Sequence, residues 1–157
     1  ASKVHDDQYD KKGYPYMAHI FDVASRVAHL GESYEIVGLL HDSIEDAEPA
    51  EFRGKIVAEI KATFGDELYG SIDAMTKRSG ENYFRHYLPR LKGNKIALHV
   101  KVADASHNLS KAHLIDDVKL QDKLRAKYIK VLDEIGEDGP FCEKPIIFKN
   151  GSWVEDE

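Results

Sequence analysis

Apolar side chains recur at the spacing of amphipathic helices from about residue 16 to residue 135. The pattern predicts seven helices, over about 16–30, 33–42, 51–64, 66–75, 83–88, 95–109 and 118–135. Glycine, the usual residue just past a helix end, directly follows three of them, at Gly31, Gly65 and Gly136. Ser33 and Asn94 are predicted to cap the second and sixth helices, and Pro89 to interrupt or end the short aromatic helix before it.

The tail carries a different pattern. Two short runs, at residues 145–149 and 152–154, flank Asn150-Gly151, the dipeptide most typical of a two-residue hairpin turn. An isolated hairpin is marginally stable, so we expect it to pack on the helical body. No internal repeat, low-complexity segment or linker divides the chain. The predicted fold class is therefore all-α, with one domain over 1–157, a helical body at about 14–136 and a short C-terminal β-hairpin at about 145–155.

The composition, 42% hydrophobic and 32% charged over 157 residues, is that of a soluble globular domain with a real core. A formal net charge of -6 argues against a nucleic-acid-binding surface, because duplex affinity comes mainly from neutralising phosphates. It does not exclude a nucleotide substrate, whose charge local lysines and a bound cation can balance. The single cysteine, Cys142, excludes an internal disulfide, and no apolar run reaches the ~20 residues of a membrane span. We expect a cytoplasmic protein with no membrane partner; a homo-oligomer is compatible with the sequence.

The candidate chemistry centres on residues 38–46, where an apolar helical run ends in His41, Asp42, Glu45 and Asp46. Burying a histidine beside three carboxylates is costly unless something offsets their desolvation and repulsion, and a divalent cation would do both. Neighbouring side chains on a helix point about 100° apart, so His41 and Asp42 can share an ion only at the helix end. Glu45 and Asp46 lie about one turn beyond Asp42, at the distance needed to hold a water molecule. A solvated acidic helix end is the alternative.

Further candidate ligands lie on two other predicted helices. His19 shares the apolar stripe of its helix and faces inward, as a ligand or as a hydrogen-bonded core histidine. Lys101, Asp104 and Asn108 fall at i, i+3 and i+7, so they share one face. These three side chains either complete a metal site and bind a phosphate group, or they form a surface stripe with one salt bridge.

Two imidazoles and two carboxylates would meet if these three helices converge, from His19, His41, Asp42 and Asp104. Mixed nitrogen and oxygen ligation suits Mn²⁺, Fe²⁺, Co²⁺ or Zn²⁺ more than Ca²⁺, which prefers oxygen alone. Four protein ligands with room for water are typical of a catalytic rather than a closed structural site.

Five motifs in order resemble the HD phosphohydrolase superfamily and, within it, the hydrolase domain of RelA/SpoT-type alarmone enzymes. They are HDDQ at 5–8 with KKGYPYMAH at 11–19, LLHDSIED at 39–46, FG at 64–65, TK at 76–77 and VKVADASHN at 100–108. One short motif would be weak, whereas five in the right order are specific. The resemblance covers about two-thirds of the chain and implies an HD-domain helical bundle.

The resemblance also implies roles for individual residues. It assigns the ligation of a single Mn²⁺ to His19, His41, Asp42 and Asp104. It assigns the orientation and deprotonation of the attacking water, activated at the Mn²⁺, to Glu45 and Asp46. It places Lys11, Lys101 and Asn108 against the nucleotide, with Asp10 beside them. The implied reaction is the removal of pyrophosphate from the ribose 3′ position of guanosine tetra- or pentaphosphate, the alarmones of the stringent response.

Two departures from the family pattern leave the base preference open. Asp10 stands where these hydrolases commonly have an arginine that packs against guanine, and Ala105-Ser106 replaces the more usual Arg-Leu. If Asp10 lies over the base, restoring arginine there should raise affinity for a guanosine alarmone. Other HD proteins bind two metals through extra histidines; His86 and His99 occupy the relevant interval, where we expect core or surface roles.

The sequence leaves three candidate functions. The leading one is a stand-alone alarmone 3′-pyrophosphohydrolase, since no synthetase or regulatory domain accompanies these motifs. The second is an HD hydrolase of another nucleotide, such as a deoxynucleoside triphosphate or a nucleoside monophosphate. The third is a non-catalytic nucleotide sensor, against which the retained Glu45-Asp46 pair argues, because a sensor does not need to activate water.

Overall fold

The computed structural model describes residues 1–136 and 144–156. Its helices are α1 (Ser2–His5), α2 (Tyr16–Val27), α3 (Glu32–Leu40), α4 (Ala50–Met75), α5 (Leu88–Lys92), α6 (Lys95–Ser110) and α7 (Val118–Ile135). Short 3₁₀ turns follow α2 and α6, at Ala28–Leu30 and Ala112–Leu114, and a π-helical turn, Tyr83–Tyr87, leads into α5. Two strands follow, β1 (Ile146–Lys149) and β2 (Ser152–Glu155). The predicted fold class, an all-α body with a C-terminal hairpin, is confirmed.

Several helix ends follow the predicted local chemistry. The side-chain oxygen of Asn94 accepts a 2.9 Å hydrogen bond from the amide of Ala97 and caps α6. Gly65 has φ 82° and ψ 172°, a conformation that glycine adopts without strain. Gly65 therefore interrupts α4 with a kink, and the two helices predicted on either side of it form the two arms of that element.

One prediction about a helix end is wrong. α3 begins at Glu32, directly after Gly31, so Ser33 lies inside its first turn and does not cap it. The π-helical turn of the aromatic segment ends at Tyr87, and Pro89 lies in the first turn of α5, which begins at Leu88. A proline is tolerated at that position because the first amide groups of a helix have no intrahelical acceptor. The short helix α1 lies in a polar segment where no apolar periodicity predicts it.

The core lies where α2 and α3 pack against α6, with α4 and α7 alongside. The tightest approach involves Gly38 of α3, where an added Cβ would lie 2.8 Å from the Cα of Ala24 on α2. Since His19 lies on α2 and His41 directly follows α3, this close packing fixes the separation of the two histidines.

The hairpin pairs β1 with β2 in antiparallel register, with Phe148 opposite Trp153. Asn150 and Gly151 have φ values of 53° and 80°, as a two-residue turn with two positive φ values requires. The indole of Trp153 is buried, with its ring centroid 5.0 Å from that of Tyr14. The hairpin packs on the helical body, as predicted: β2 contacts α2, and Trp153 contacts Tyr14, which precedes that helix.

None of the helices in the described ranges is both long and apolar enough to span a membrane. Cys142, on which the prediction about disulfides depends, lies outside the described residues.

Candidate active site

The end of α3 brings His41 into the interior with one ring nitrogen fixed. Its Nδ1 lies 2.7 Å from the carbonyl oxygen of Gly38, to which it donates, so Nε2 is the nitrogen that remains available for a second proton or for a metal ion. That Nε2 is buried without a hydrogen-bond partner and lies 3.0 Å from Oδ2 of Asp42, outside hydrogen-bonding angles. α3 ends at Leu40, which allows these two adjacent side chains to converge, as predicted.

His19 and Asp104 approach the same point from α2 and α6. Oδ1 of Asp104 lies 3.3 Å from Nε2 of His19 and 3.9 Å from Nε2 of His41. On the far side of its ring, Nδ1 of His19 lies 2.7 Å from Nδ1 of His107. Burial, and secondarily the proximity of His19, hold the pKa of His107 well below its usual value, so His107 is neutral and can accept from His19. The four predicted ligands thus lie together.

Two predicted substrate residues contact Asp104. The ammonium of Lys101 donates a 2.8 Å hydrogen bond to Oδ2 of Asp104, and the amide of Asn108 donates one of 2.8 Å to Oδ1. All three lie on one face of α6, as their spacing predicts. Lys101 and Asn108 therefore orient this carboxylate and also face the cavity described below.

The charges of the cluster shift the pKa values within it. Burial lowers the pKa of His41, but the negative charges of Asp42 and Asp104 and the hydrogen bond to Gly38 together outweigh burial and raise it to about 9. Burial raises the pKa of Asp42, yet the positive charge of His41 holds it below its usual value. At Asp104 the opposing effect comes from Lys101, which keeps the pKa of that carboxyl well below normal despite burial. At neutral pH both carboxylates are ionised and His41 carries a proton.

A divalent cation fits this cluster. Ligand atoms of His19, His41 and Asp42 lie within 4.8 Å of one another, and Asp104 is beside them. The unpartnered Nε2 of His41 needs a proton or a metal ion to interact with the adjacent carboxylates. The chemistry of the donors, imidazole nitrogen with carboxylate oxygen, suits a transition metal.

Asp46 and Glu45 lie beyond the cluster and differ in environment. Asp46 is partly buried; burial and the negative charges of Asp42 and Glu45 raise its pKa to about 7. A carboxyl with that pKa can exchange a proton near neutral pH. Glu45 is exposed, and its Oε2 accepts a 2.8 Å hydrogen bond from the amide of Lys77. Glu45 therefore also anchors the loop that follows α4.

Two cavities adjoin at Asp46. The first, which we call the metal-side cavity, has a volume of about 210 Å³ and includes Asp42 and Asp104. It is also lined by three lysines and four tyrosines, Lys77, Lys101, Lys127, Tyr16, Tyr83, Tyr87 and Tyr128. The second, the aromatic cavity, has a volume of about 370 Å³, and its walls include Tyr9, Tyr14, Trp153, Lys11 and Lys111. Four residues line both cavities: Tyr16, Asp46, Asn108 and Tyr128.

Comparison with known proteins gives a consistent set of relatives, although no family model matches the chain. The chain is 31% identical over 125 residues to a GTP pyrophosphokinase of Myxococcus xanthus, an alignment covering 69% of this chain and 16% of that protein. It is 32% identical over 122 residues to a probable guanosine-3′,5′-bis(diphosphate) 3′-pyrophosphohydrolase of Synechocystis, covering 69% and 15%. An Aquifex aeolicus protein of the latter name is 30% identical over 119 residues, covering 69% and 16%. The chain thus spans about one-sixth of the length of these relatives.

The solved structure of a metazoan ortholog of SpoT superposes with a TM-score of 0.72. The match covers 90% of this chain and 84% of that one at 18% identity, and it establishes a common fold. The chain is an HD domain of the RelA/SpoT type.

In this RelA/SpoT-type domain, the structure adds Tyr16 to the residues that contact the candidate ligands. Its hydroxyl donates a 2.6 Å hydrogen bond to Oδ2 of Asp42, the same oxygen that faces His41. Sequence reasoning did not give Tyr16 a role, although it stands in the KKGYPYMAH motif three residues before His19. That spacing from a candidate ligand was the sequence feature from which a role for Tyr16 could have been predicted.

The structure also shows how the carboxylate of Asp10 is used in this RelA/SpoT-type domain. Oδ1 accepts hydrogen bonds from the amides of Lys12 at 2.9 Å and Tyr14 at 3.1 Å, and Oδ2 accepts one of 3.1 Å from Lys111. Asp10 therefore folds the loop that forms one wall of the aromatic cavity. Neighbouring Lys11 is exposed on that wall. Whether either residue binds the substrate stays a prediction.

The remaining histidines have other contacts. His5 is fully buried, with Nδ1 2.7 Å from Oε1 of Gln8 and 4.0 Å from Oδ2 of Asp46. His86 accepts a hydrogen bond from the amide of Asn82, and His99 donates to the carbonyl of Lys95. His5, in the first matched motif, is thus the one of the three that approaches the candidate catalytic pair.

Proposed function

We propose that this domain is a metal-dependent (p)ppGpp 3′-pyrophosphohydrolase that works with Mn²⁺. The observation that carries the proposal is the buried cluster of His19, His41, Asp42 and Asp104 beside a cavity lined by lysines. A cation and an anionic substrate would both find counter-charges there. The names of two relatives, guanosine-3′,5′-bis(diphosphate) 3′-pyrophosphohydrolases, support the choice of substrate.

The shape of the site supports a nucleoside carrying a phosphate chain. The aromatic cavity, about 370 Å³, offers ring faces to a base, and the smaller metal-side cavity offers lysines and carboxylates to phosphates. Because the two cavities adjoin at Asp46, a nucleotide that spans both would place its ribose next to the candidate catalytic pair.

In the proposed reaction, water attacks the phosphorus bonded to the ribose 3′ oxygen, the bond between that phosphorus and O3′ breaks, and O3′ takes a proton. When bound, the cation would acidify water and neutralise charge on the phosphoryl oxygens. Asp46, with a pKa of about 7, accepts the proton from the attacking water. Glu45, held by the amide of Lys77, orients that water, and Lys101 compensates the phosphoryl charge.

The cation that the chain would hold is Mn²⁺ in this proposal, on the basis of the resemblance and of the mixed donor set. His41, with Nδ1 donating to Gly38, would offer Nε2. His19, with Nδ1 turned to His107, would offer Nε2 as well. These hydrogen bonds fix each ring for ligation from the other nitrogen.

A nucleotide panel tests the proposal. The protein with Mn²⁺ is incubated with guanosine tetraphosphate, a deoxynucleoside triphosphate and a nucleoside monophosphate, and the products are identified. Pyrophosphate and a free 3′ hydroxyl from the first substrate alone are expected. Tripolyphosphate or orthophosphate from the others would replace the proposal with the second candidate, a different nucleotide hydrolase. Tight binding of the alarmone without any product would favour a sensor.

A further inference from the structure

Two lysines of the metal-side cavity lie over one tyrosine ring. The ammonium of Lys101, on α6, is 5.8 Å from the centroid of Tyr83, and that of Lys127, on α7, is 4.7 Å from the same centroid. The ring of Tyr128 is 5.9 Å from the ammonium of Lys127. α6 and α7 thus both direct a cation towards this cavity.

The two cations differ in their partners. Lys101 is paired with Asp104 at 2.8 Å. Among residues 1–136 and 144–156, no carboxylate oxygen lies within 4.0 Å of the ammonium of Lys127. Burial and the positive charge of Lys101 lower the pKa of Lys127. An ammonium that lies over aromatic rings, close to another cation and without a paired carboxylate, gains from an anion placed beside it.

We propose that Lys127 is a specificity-determining residue that binds the distal phosphate of a pyrophosphate group in the metal-side cavity. The inference rests on the proposed function, which puts the reacting phosphorus beside Asp104. Lys101 contacts Asp104 directly, so it serves the proximal phosphate, while Lys127 meets the next phosphate along the chain. The residue therefore makes the site prefer a pyrophosphate over a single phosphate.

The same helix supplies a matched control. Lys130 lies one turn beyond Lys127 on α7, and its ammonium is 4.1 Å from the centroid of Phe84. It has the same charge and the same kind of aromatic contact but does not line the metal-side cavity. If Lys127 only covers an aromatic ring, removing either charge should have the same consequence.

Inorganic pyrophosphate and orthophosphate are the probes, and binding to the Mn²⁺-loaded protein is measured by calorimetry with Mn²⁺ in excess of ligand. Lys127→Gln should weaken pyrophosphate binding about tenfold, since hydrogen bonds to charged groups are worth that much, and leave orthophosphate unchanged. Lys127→Arg should restore pyrophosphate binding, and Lys130→Gln should change neither. Unchanged pyrophosphate binding in Lys127→Gln, or equal loss of both ligands, would overturn the inference.

These measurements need no turnover, so they separate the inference from the proposed function. A protein that binds pyrophosphate through Lys127 but cleaves no alarmone supports the inference and refutes the activity. The opposite result is also possible: the protein cleaves the alarmone, but Lys127→Gln changes neither KM nor the affinity for pyrophosphate. That result supports the proposed activity and refutes the inference. In an active enzyme, Lys127→Gln should raise KM several-fold.

Discussion

The hydroxyl of Tyr16 donates a 2.6 Å hydrogen bond to Asp42, through the same carboxylate oxygen that faces the free nitrogen of His41. Burial and the charge of Asp42 raise the pKa of Tyr16 well above its usual value, so the phenol keeps its proton and remains a donor. Tyr16 therefore holds one candidate ligand in the orientation that a cation would need.

Tyr16→Phe should keep the fold and lower Mn²⁺ affinity by about tenfold, as is typical when a partner of a metal ligand is lost. Calorimetric titration of the metal-free protein with Mn²⁺ measures the change. Tyr14→Phe is the control, because Tyr14 contacts the aromatic rings of the hairpin instead of a candidate ligand. Equal affinities for wild type and Tyr16→Phe would remove Tyr16 from the site.

Glu45→Gln and Asp46→Asn should retain Mn²⁺ while turnover falls by roughly 10²-fold. Both substitutions preserve shape, and the glutamine oxygen can still accept the amide of Lys77. Metal analysis and rates of pyrophosphate release are measured on the same samples. Near-normal turnover in both variants would assign the deprotonation of water to another group.

The proton on His41 predicts how Mn²⁺ affinity depends on pH. Its folded pKa of about 9 exceeds the ordinary value of 6.5, so below pH 9 the cation must displace a proton. Affinity should rise by roughly tenfold per pH unit between about 6.5 and 8.5, with about one proton released per ion. Titrations in two buffers with different ionisation enthalpies count that proton.

The raised pKa of His41 also affects the stability of the metal-free protein. A raised folded pKa contributes stability that is fully present below pH 6.5 and is lost as the pH rises through about 9. The melting temperature of the metal-free protein should therefore fall over that range, and saturating Mn²⁺ should abolish the fall. Metal affinity that is independent of pH would show that His41 is neutral before the ion binds.

Asp10 offers a test of how the aromatic cavity is built. Asp10→Ala removes the acceptor for two loop amides and the partner of Lys111, so stability should drop by about 1–2 kcal/mol and KM should rise several-fold at constant kcat. Asp10→Asn keeps the amide acceptor and should have a smaller effect. Asp10→Arg, which the sequence alone predicts to improve binding, should weaken it instead. A switch in base preference in Asp10→Asn would show direct contact with the base.

Gly38→Ala should destabilise the protein by about 1–3 kcal/mol, because the new methyl would meet Ala24 and push α2 from α3. Mn²⁺ affinity should fall with it, as His19 and His41 move apart. Gly54→Ala is the control: it lies in α4 with no atom within 4 Å of the new Cβ, and should stabilise by about 0.4–1 kcal/mol. Thermal unfolding and metal titration of the two variants give the comparison.

The features that sequence could predict are local. Helical periodicity placed α6 and α7 to within a residue, and the spacing of Lys101, Asp104 and Asn108 placed them on one face. The motifs allowed the four candidate ligands to be grouped before any distance was known.

The features that sequence could not predict depend on contacts between distant segments. The pairing of Asp10 with Lys111 spans 101 positions, and the wall formed by Trp153 requires the hairpin to fold back on α2. Neither contact produces a periodic arrangement of apolar residues in the sequence, so neither can be predicted from hydrophobic periodicity. The contact of Lys127 with the ring of Tyr83 likewise depends on how α7 packs beside the cavity.

The position of Trp153 in the wall of the aromatic cavity has a consequence for biosynthesis. All four candidate metal ligands lie between residues 19 and 104, whereas that wall is completed only by a residue of β2. A polypeptide emerges from the ribosome with its N-terminal part first. The residues that would hold the cation therefore leave the ribosome before the residue that completes the wall of the aromatic cavity.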